Sequence, residues 1–148
     1  MNTILVGFDD SEIGQPALRF AIEEAKLRKA KLRVMTTWKV PDESSAELPA
    51  SEEILKRYRK EAEDTLAEAA AIVKREAPGV EIDVVAIEGK LGDALAEAAE
   101  AAPKPTMVVV GTHGRGGLTG SLLGSVSHQL IGQSHIPVVV VPSPQSSD

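Results

Sequence analysis

Five short runs of apolar, mostly β-branched residues alternate along the chain with longer segments of helical periodicity. The runs cover residues 4–8, 32–38, 82–87, 107–110 and 138–141, and the helical segments cover 15–28, 51–76, 93–102 and a last stretch that begins near Ser125. The runs are almost continuously apolar, as strands are when helices cover both faces of a parallel sheet. The order βαβαβαβαβ therefore predicts an α/β fold.

The length of the chain limits how many domains it can form. With 148 residues, 43% of them hydrophobic, the chain can bury one core of ordinary size and leaves no room for a second. We therefore predict a single domain over residues 1–148, in which the polar end of the chain, 143–148, is a frayed tail.

Charge and composition exclude several classes of function. The net charge is -6 and the isoelectric point is about 5.1, which argues against a nucleic-acid or anionic membrane surface. The chain has no cysteine, so disulfides, zinc–thiolate sites and thiol catalysis are excluded. Its first residues lack the basic and apolar regions of a signal peptide, and no apolar run is long enough to span a membrane. These features predict a cytoplasmic location.

The densest cluster of glycines lies between the fourth predicted strand and the last helix, within residues 111–124. Glycines allow backbone N–H groups to surround a phosphate, and a helix N-terminus adds free donors and partial positive charge. The segment lacks the Gly-Lys-[Ser/Thr] of a Walker A loop, and the dinucleotide fingerprint is missing after the first strand. An anion site is therefore predicted, although the glycine count alone also fits a flexible surface loop.

Spacing within this cluster carries more information than the glycine count. Gly111 and Gly114 are separated by two residues, and nine residues lie between Gly114 and the pair Gly124-Ser125. This pattern resembles that of the ATP-binding universal stress proteins. Three further parts of the chain are similar to the same family: the first strand with its acidic turn, 4–11, the pair Glu88-Gly89, and the closing stretches 122–127 and 136–142. The resemblance thus extends over nearly the whole chain.

The resemblance implies a fold and a place for the ligand. The fold is an open five-stranded parallel sheet in the order 3-2-1-4-5 with helices on both faces, also called adenine nucleotide alpha-hydrolase-like. ATP would lie at the carboxyl ends of strands one and four, where the strand order reverses, as ligands of open α/β sheets do. The residues implied for ATP binding are Gly7, Asp9, Thr37, Gly111, Gly114, Arg115, Gly116, Gly117, Gly124, Ser125, Val126 and Ser127.

Each group of these residues has its own implied role. Backbone groups of the glycine loop, with Ser125 and the start of the last helix, would surround the phosphates. Asp9 would contact the ribose or phosphate side, Gly7 would leave room for the nucleotide, and the backbone of Thr37 would bond adenine. Trp38, the only tryptophan, is better explained as a core or rim residue.

Two acidic residues and one arginine have open alternatives. Asp9, Asp10 or Ser11 also fits as a cap of the first helix, and Arg115 also fits as an exposed loop charge. Many members of the family have glycine where this chain has Asp10. Because an extra carboxylate repels a triphosphate, the hypothesis includes Mg²⁺ or Mn²⁺ held with the phosphates near Asp9 or Asp10.

The implied function is a nucleotide-dependent stress-response regulator that acts through binding and a change of conformation or partner. Catalysis is not predicted, because the chain has no P-loop lysine, assigned base or arginine finger. The alternatives are a slow ATPase or phosphotransferase and a nucleotide-free scaffold. A homodimer is predicted through the apolar edge strand Val138–Val141, unless the chain's own tail covers that edge.

Overall fold

The computed structural model describes residues 2–9, 14–40, 51–112 and 124–143. Within these ranges strands and helices alternate along the chain. The strands are β1 (Thr3–Gly7), β2 (Lys31–Trp38), β3 (Ile82–Glu88), β4 (Met107–Gly111) and β5 (Val138–Val141), and the helices are α1 (Gln15–Arg28), α2 (Glu52–Glu76), α3 (Leu91–Glu100) and α4 (Ser125–Gln133). All neighbouring strands are parallel and lie in the order β3-β2-β1-β4-β5. The predicted α/β fold and strand order are confirmed.

Alternate residues of the central strand β1 point into two separate helical layers. Ile4 and Val6 are buried against α1 and α2, whereas Leu5 is buried in a second cluster with Leu95 of α3 and Leu130 of α4. All of these side chains have no exposed surface. Burial on both faces explains why the sequence of β1 shows no polar alternation.

Helix α2 illustrates how local sequence sets the bounds of an element. The side chain of Ser51 accepts a hydrogen bond of 3.2 Å from the backbone N–H of Ile54, so it caps the helix at its first turn. The buried residues of α2 lie on one face, where the helix packs on β2 and β3; they are Ala62, Leu66, Ala69, Ile72 and Val73. Ile54, in the first turn, is 38% exposed.

Helix α3 differs from the prediction at both ends. The pattern predicts a helix over 93–102, but the helix begins at Leu91 and ends at Glu100. It starts earlier because Leu91 packs against the cluster that contains Leu95, so burial extends the helix by part of a turn. It ends earlier because Ala101 is extended and Ala102 precedes Pro103, which disfavours helical backbone in the residue before it.

Glu100, at the end of α3, fixes the connection between α4 and β5. Its carboxylate accepts a hydrogen bond of 3.0 Å from the backbone N–H of His135, and it lies 3.2 Å from both Lys104 Nζ and His135 Nδ1. The backbone hydrogen bond from His135, followed by the Lys104 ammonium, lowers the pKa of this carboxyl group below its ordinary value.

We expect Glu100 to titrate below the ordinary glutamate range when followed by NMR. Because the folded pKa is depressed, the stabilising contribution is present above the unfolded pKa and is lost as the pH falls through the folded pKa. Glu100→Gln should remove this part of the acid dependence of unfolding. Glu97→Gln, on the exposed face of the same helix, controls for the loss of one carboxylate. Titration of Glu100 at or above the ordinary value would contradict the expectation.

In the part of the chain that the structure describes, none of the helices combines the length and apolar character needed to cross a membrane.

Candidate functional site

The carboxyl ends of β1 and β4 lie side by side in the middle of the sheet. Val6 of β1 is in register with Val109 of β4, so the strands end together near Gly7 and Gly111. From β1 the chain continues to β2 on one side, whereas β4 and β5 lie on the other side. The strand order therefore reverses here, which is the place where open α/β sheets bind ligands.

The carbonyl of Thr112 joins the end of β4 to the start of α4. It accepts a hydrogen bond from the backbone N–H of Gly124, and the hydroxyl oxygen of Ser127 lies 3.3 Å from it. The N–H of Thr112 donates a 3.0 Å hydrogen bond to the carbonyl of Val141. The first turn of α4 is thus fixed beside the point where β1 and β4 end.

The N-terminus of α4 presents backbone N–H donors that have no acceptor within the helix. Its N-cap, Gly124, is extended, and among the described residues no side chain caps the helix and its first turn contains no acidic residue. Since the N–H groups of Ser125, Val126 and Ser127 belong to this turn, they have no partner within the helix. By contrast, α2 is capped by Ser51 and begins with two glutamates. The dipole and donors of α4 suit an anion.

Ser127 has a structural role that sequence reasoning did not predict. Its side chain is only 1% exposed, and its hydroxyl lies within hydrogen-bond distance of the carbonyls of Thr112 and Gly124 (3.3 and 3.2 Å). The hydroxyl therefore braces the connection between β4 and α4. The backbone N–H is the group of Ser127 that remains at the helix start for the predicted phosphate contact.

Gly7 also has a packing role that the sequence did not reveal. A Cβ atom at this position would lie 2.7 Å from Leu95 Cδ1 and 3.5 Å from Val110 Cγ1. A side chain at Gly7 would therefore collide with α3, so the glycine allows this helix to pack closely on β1. The predicted role of Gly7 towards a nucleotide stays a prediction.

The end of β2 lies two strands away from β4, on the other side of β1. Thr37 and Trp38 are half-buried there, and with Tyr58 they border a polar cavity of about 410 Å³. The carbonyl of Trp38 accepts a 2.9 Å hydrogen bond from the N–H of Gly89. Gly89 has a φ of 134°, which side-chain-bearing residues rarely adopt, so this connection requires glycine.

The structure brings together only part of the predicted site. Asp9 is half-buried just beyond β1, Gly7 and Gly111 end β1 and β4, and Gly124 is hydrogen-bonded to Thr112 directly after β4. Asp10, Gly114, Arg115, Gly116 and Gly117 fall outside the described residues. Within the described ranges no three His, Asp or Glu side chains are grouped so that they could hold a metal ion.

Comparison with known sequences identifies relatives over almost the whole chain. The sequence model of the universal stress protein family matches residues 1–142. A universal stress protein of Mycobacterium tuberculosis is 36% identical over 93% of this chain, which corresponds to 44% of that protein. A universal stress protein of Thermus aquaticus is 34% identical over 94% of this chain and 97% of its own length. The chain thus spans less than half the length of its mycobacterial relative.

Comparison with solved structures identifies the same architecture. A universal stress protein in complex with cAMP is 28% identical, with a TM-score of 0.69 over 95% of this chain and 96% of its own. A universal stress protein of Archaeoglobus fulgidus in complex with dAMP is 23% identical, with a TM-score of 0.68 over 95% and 97% of the two chains. At that lower identity the second likeness concerns the fold alone.

Proposed function

The chain belongs to the universal stress protein family, and from that premise we propose that it binds an adenine nucleotide where β1 and β4 end. The proposed ligand is ATP accompanied by Mg²⁺ or Mn²⁺. Binding would regulate a stress response by changing the conformation or the partners of the protein, in the cytoplasm. The same function is proposed for a longer protein that contains this domain.

One observation carries this proposal: the hydrogen-bonded junction between Thr112 and Gly124. It holds an uncapped helix N-terminus at the point where the strand order reverses. The chain between these two residues contains Gly114, Arg115, Gly116 and Gly117. Both ends of this segment lie beside the backbone N–H donors at the start of α4. Backbone donors, the helix dipole and glycines together suit the phosphates of a nucleotide.

Related proteins support an adenine nucleotide as the ligand. Solved members of the family are described in complex with cAMP, with dAMP and, for an Arabidopsis thaliana protein, with AMP. We propose ATP for this chain because the spacing of Gly111, Gly114 and Gly124-Ser125 resembles that of the ATP-binding members of the family.

The described residues suit a metal that arrives with the nucleotide rather than one held by the protein alone. They contain no group of three metal-ligating side chains, and Mg²⁺ is commonly bound through one or two carboxylates together with phosphates. Asp9 or Asp10 would supply that carboxylate. The ion would neutralise the repulsion between the acidic turn after β1 and the triphosphate.

A direct experiment tests this proposal. Freshly purified protein is denatured, and any released nucleotide is identified by mass spectrometry; the protein stripped of nucleotide is then titrated with ATP, ADP, AMP and cAMP, each with and without Mg²⁺. ATP with Mg²⁺ should bind most tightly. Preference for a monophosphate would contradict ATP as the ligand, and failure of all four nucleotides to bind would overturn the nucleotide proposal.

We expect ATP hydrolysis to be absent or far slower than 1 s⁻¹, the low end of ordinary enzymes. Backbone donors at α4 would hold the phosphates equally well in the ground state and the transition state, and the chain supplies no recognised group to orient water. Phosphate release at saturating ATP and Mg²⁺ measures this. A turnover of about 1 s⁻¹ or more would instead favour the alternative of an ATPase or phosphotransferase.

We also propose that two copies pair through β5. This strand lies at one edge of the sheet and consists of the four valines Val138–Val141. An apolar edge strand exposes unpaired N–H and C=O groups, which natural proteins usually cover. Two antiparallel β5 strands related by a two-fold axis would satisfy both edges with one self-complementary contact.

A further inference from the structure

A second cavity lies at the end of the sheet opposite the candidate nucleotide site. It has a volume of about 500 Å³ and lies where α1 leads into β2 and α2 leads towards β3. Ligand cavities in proteins commonly measure about 300–1,000 Å³. This cavity is thus large enough for a small molecule and shares no residue with the strand ends where the nucleotide is proposed to bind.

The floor of this cavity is apolar. Ala25, Ala30 and Ala77 line it and are each at most 5% exposed, and Val80 beside them packs on the core. Small side chains at these positions leave space instead of filling it. An apolar group of a ligand would therefore be shielded from water on this side.

Most charges at the rim already have partners. Glu76 is paired with Arg19, and Lys31 lies 3.7 Å from Glu81. Lys26 lies 3.2 Å from Glu23 on its own helix. Lys29 is the exception, because among the described residues no carboxylate lies within ion-pair distance of its ammonium group. The rim thus offers one cation without a counter-charge.

Lys29 has a backbone conformation that is unusual for a residue with a side chain. It has φ 52° and ψ 45°, the left-handed conformation that ends α1, and the Ala30 N–H donates a 2.9 Å hydrogen bond to the Ala25 carbonyl across the same turn. Glycine is strongly preferred at this position, because a Cβ atom is disfavoured there. A lysine that occupies a position better suited to glycine is consistent with a role for its side chain.

We propose that this cavity, formed by Ala25, Lys29, Ala30, Ala77 and Val80, binds a small carboxylate with an apolar body. The apolar part would rest on the alanine floor, and the carboxylate would pair with the Lys29 ammonium. An anion is favoured over a cation because the rim carboxylates Glu76 and Glu81 are already paired. The site would function independently of the proposed nucleotide site.

The test is an NMR titration of the full chain with octanoate, octan-1-ol and octylammonium. Octanoate should give saturable amide shifts within residues 25–31 and 76–81, and octan-1-ol should bind about fivefold more weakly, as expected for loss of one exposed ion pair. Equal binding of the alcohol, preference for octylammonium, or no saturable shift at millimolar octanoate would overturn the proposal. Amide shifts at these residues that depend on protein concentration alone would also overturn the proposal, because they would indicate a contact between two copies of the chain.

Lys29→Gly separates binding from folding. It removes the ammonium and supplies the residue that the left-handed backbone prefers, so the melting temperature should stay the same or rise. Octanoate affinity should fall about fivefold, with octan-1-ol affinity unchanged. Lys56→Ala, which removes an exposed lysine from the first turns of α2, is the matched control and should leave both affinities unchanged. Equal octanoate affinity in Lys29→Gly and wild type would overturn the assigned role.

Discussion

ATP with Mg²⁺, at about 100 times its dissociation constant, is expected to stabilise the nucleotide-free protein by about 2.7 kcal/mol. For a domain of this size that corresponds to a rise of roughly 5–10 °C in melting temperature. The reason is mass action, since the donors at the start of α4 are assembled only in the folded chain. Gly114→Val should abolish the rise, because a branched side chain would obstruct backbone contact with the phosphates.

A second substitution tests the same site within the described residues. Ser125→Asp places a carboxylate on the exposed first residue of α4, where it should stabilise the free protein by about 0.3–1 kcal/mol through the helix dipole. It should also repel the phosphates and remove the ATP-induced rise. Ser51→Asp makes the same change at the capped start of α2 and should retain the rise. If wild-type protein free of nucleotide shows no rise at millimolar ATP, the nucleotide hypothesis fails.

Val140→Pro is expected to raise the dissociation constant of the proposed homodimer about 100-fold. The carbonyls of Pro137 and Val141 accept 3.0 Å hydrogen bonds from the N–H groups of Val108 in β4 and of Thr112 just after it. Backbone groups alternate in direction along a strand. The N–H of Val140 therefore points to the open edge. Proline removes this donor and adds a ring at the open edge. Because the dimer has two-fold symmetry, one hydrogen bond is lost from each copy.

The matched control for this substitution is Val139→Pro. The N–H of Val139 points inward to β4, so its loss should lower the free energy of unfolding. A lysine at Val139 or Val141 would be a less specific test of pairing, because both valines are half-buried and pack against the layer of α1, so a charge there would also disturb the core. Light scattering at tens of micromolar protein measures the mass of each variant. A wild-type chain that remains monomeric under these conditions would defeat the proposal.

The fold could be predicted because strands that are buried on both faces appear in the sequence as continuous apolar runs. Val108, Val109 and Val110 are consecutive and all buried, since alternate side chains enter different helical layers. The first and last residues of a helix could be predicted only where the local sequence contains a capping or terminating residue. Ser51 marks the start of α2 by its own hydroxyl, whereas Leu91 begins α3 without a side-chain cap, so its start depends on packing.

The candidate site could be located from the sequence but not resolved into individual roles. The apolar run 107–110 and the helical pattern that begins near Ser125 predict the strand and the helix that meet at the switch point. The brace formed by the Ser127 hydroxyl and the close approach of Leu95 to Gly7 depend on how distant segments pack together. No local pattern specifies such contacts, because they join residues that are far apart in the sequence.

The junction at Thr112 has a consequence for protein engineering. A direct hydrogen bond between the Gly124 N–H and the Thr112 carbonyl holds the two ends of the segment 113–123 together. Doubling the length of a loop with fixed ends costs only about 0.6 kcal/mol of closure entropy. Lengthening the segment 113–123 is therefore expected to cost the fold little while it changes the spacing between Gly114 and Gly124, so such variants would separate proposed phosphate binding from folding.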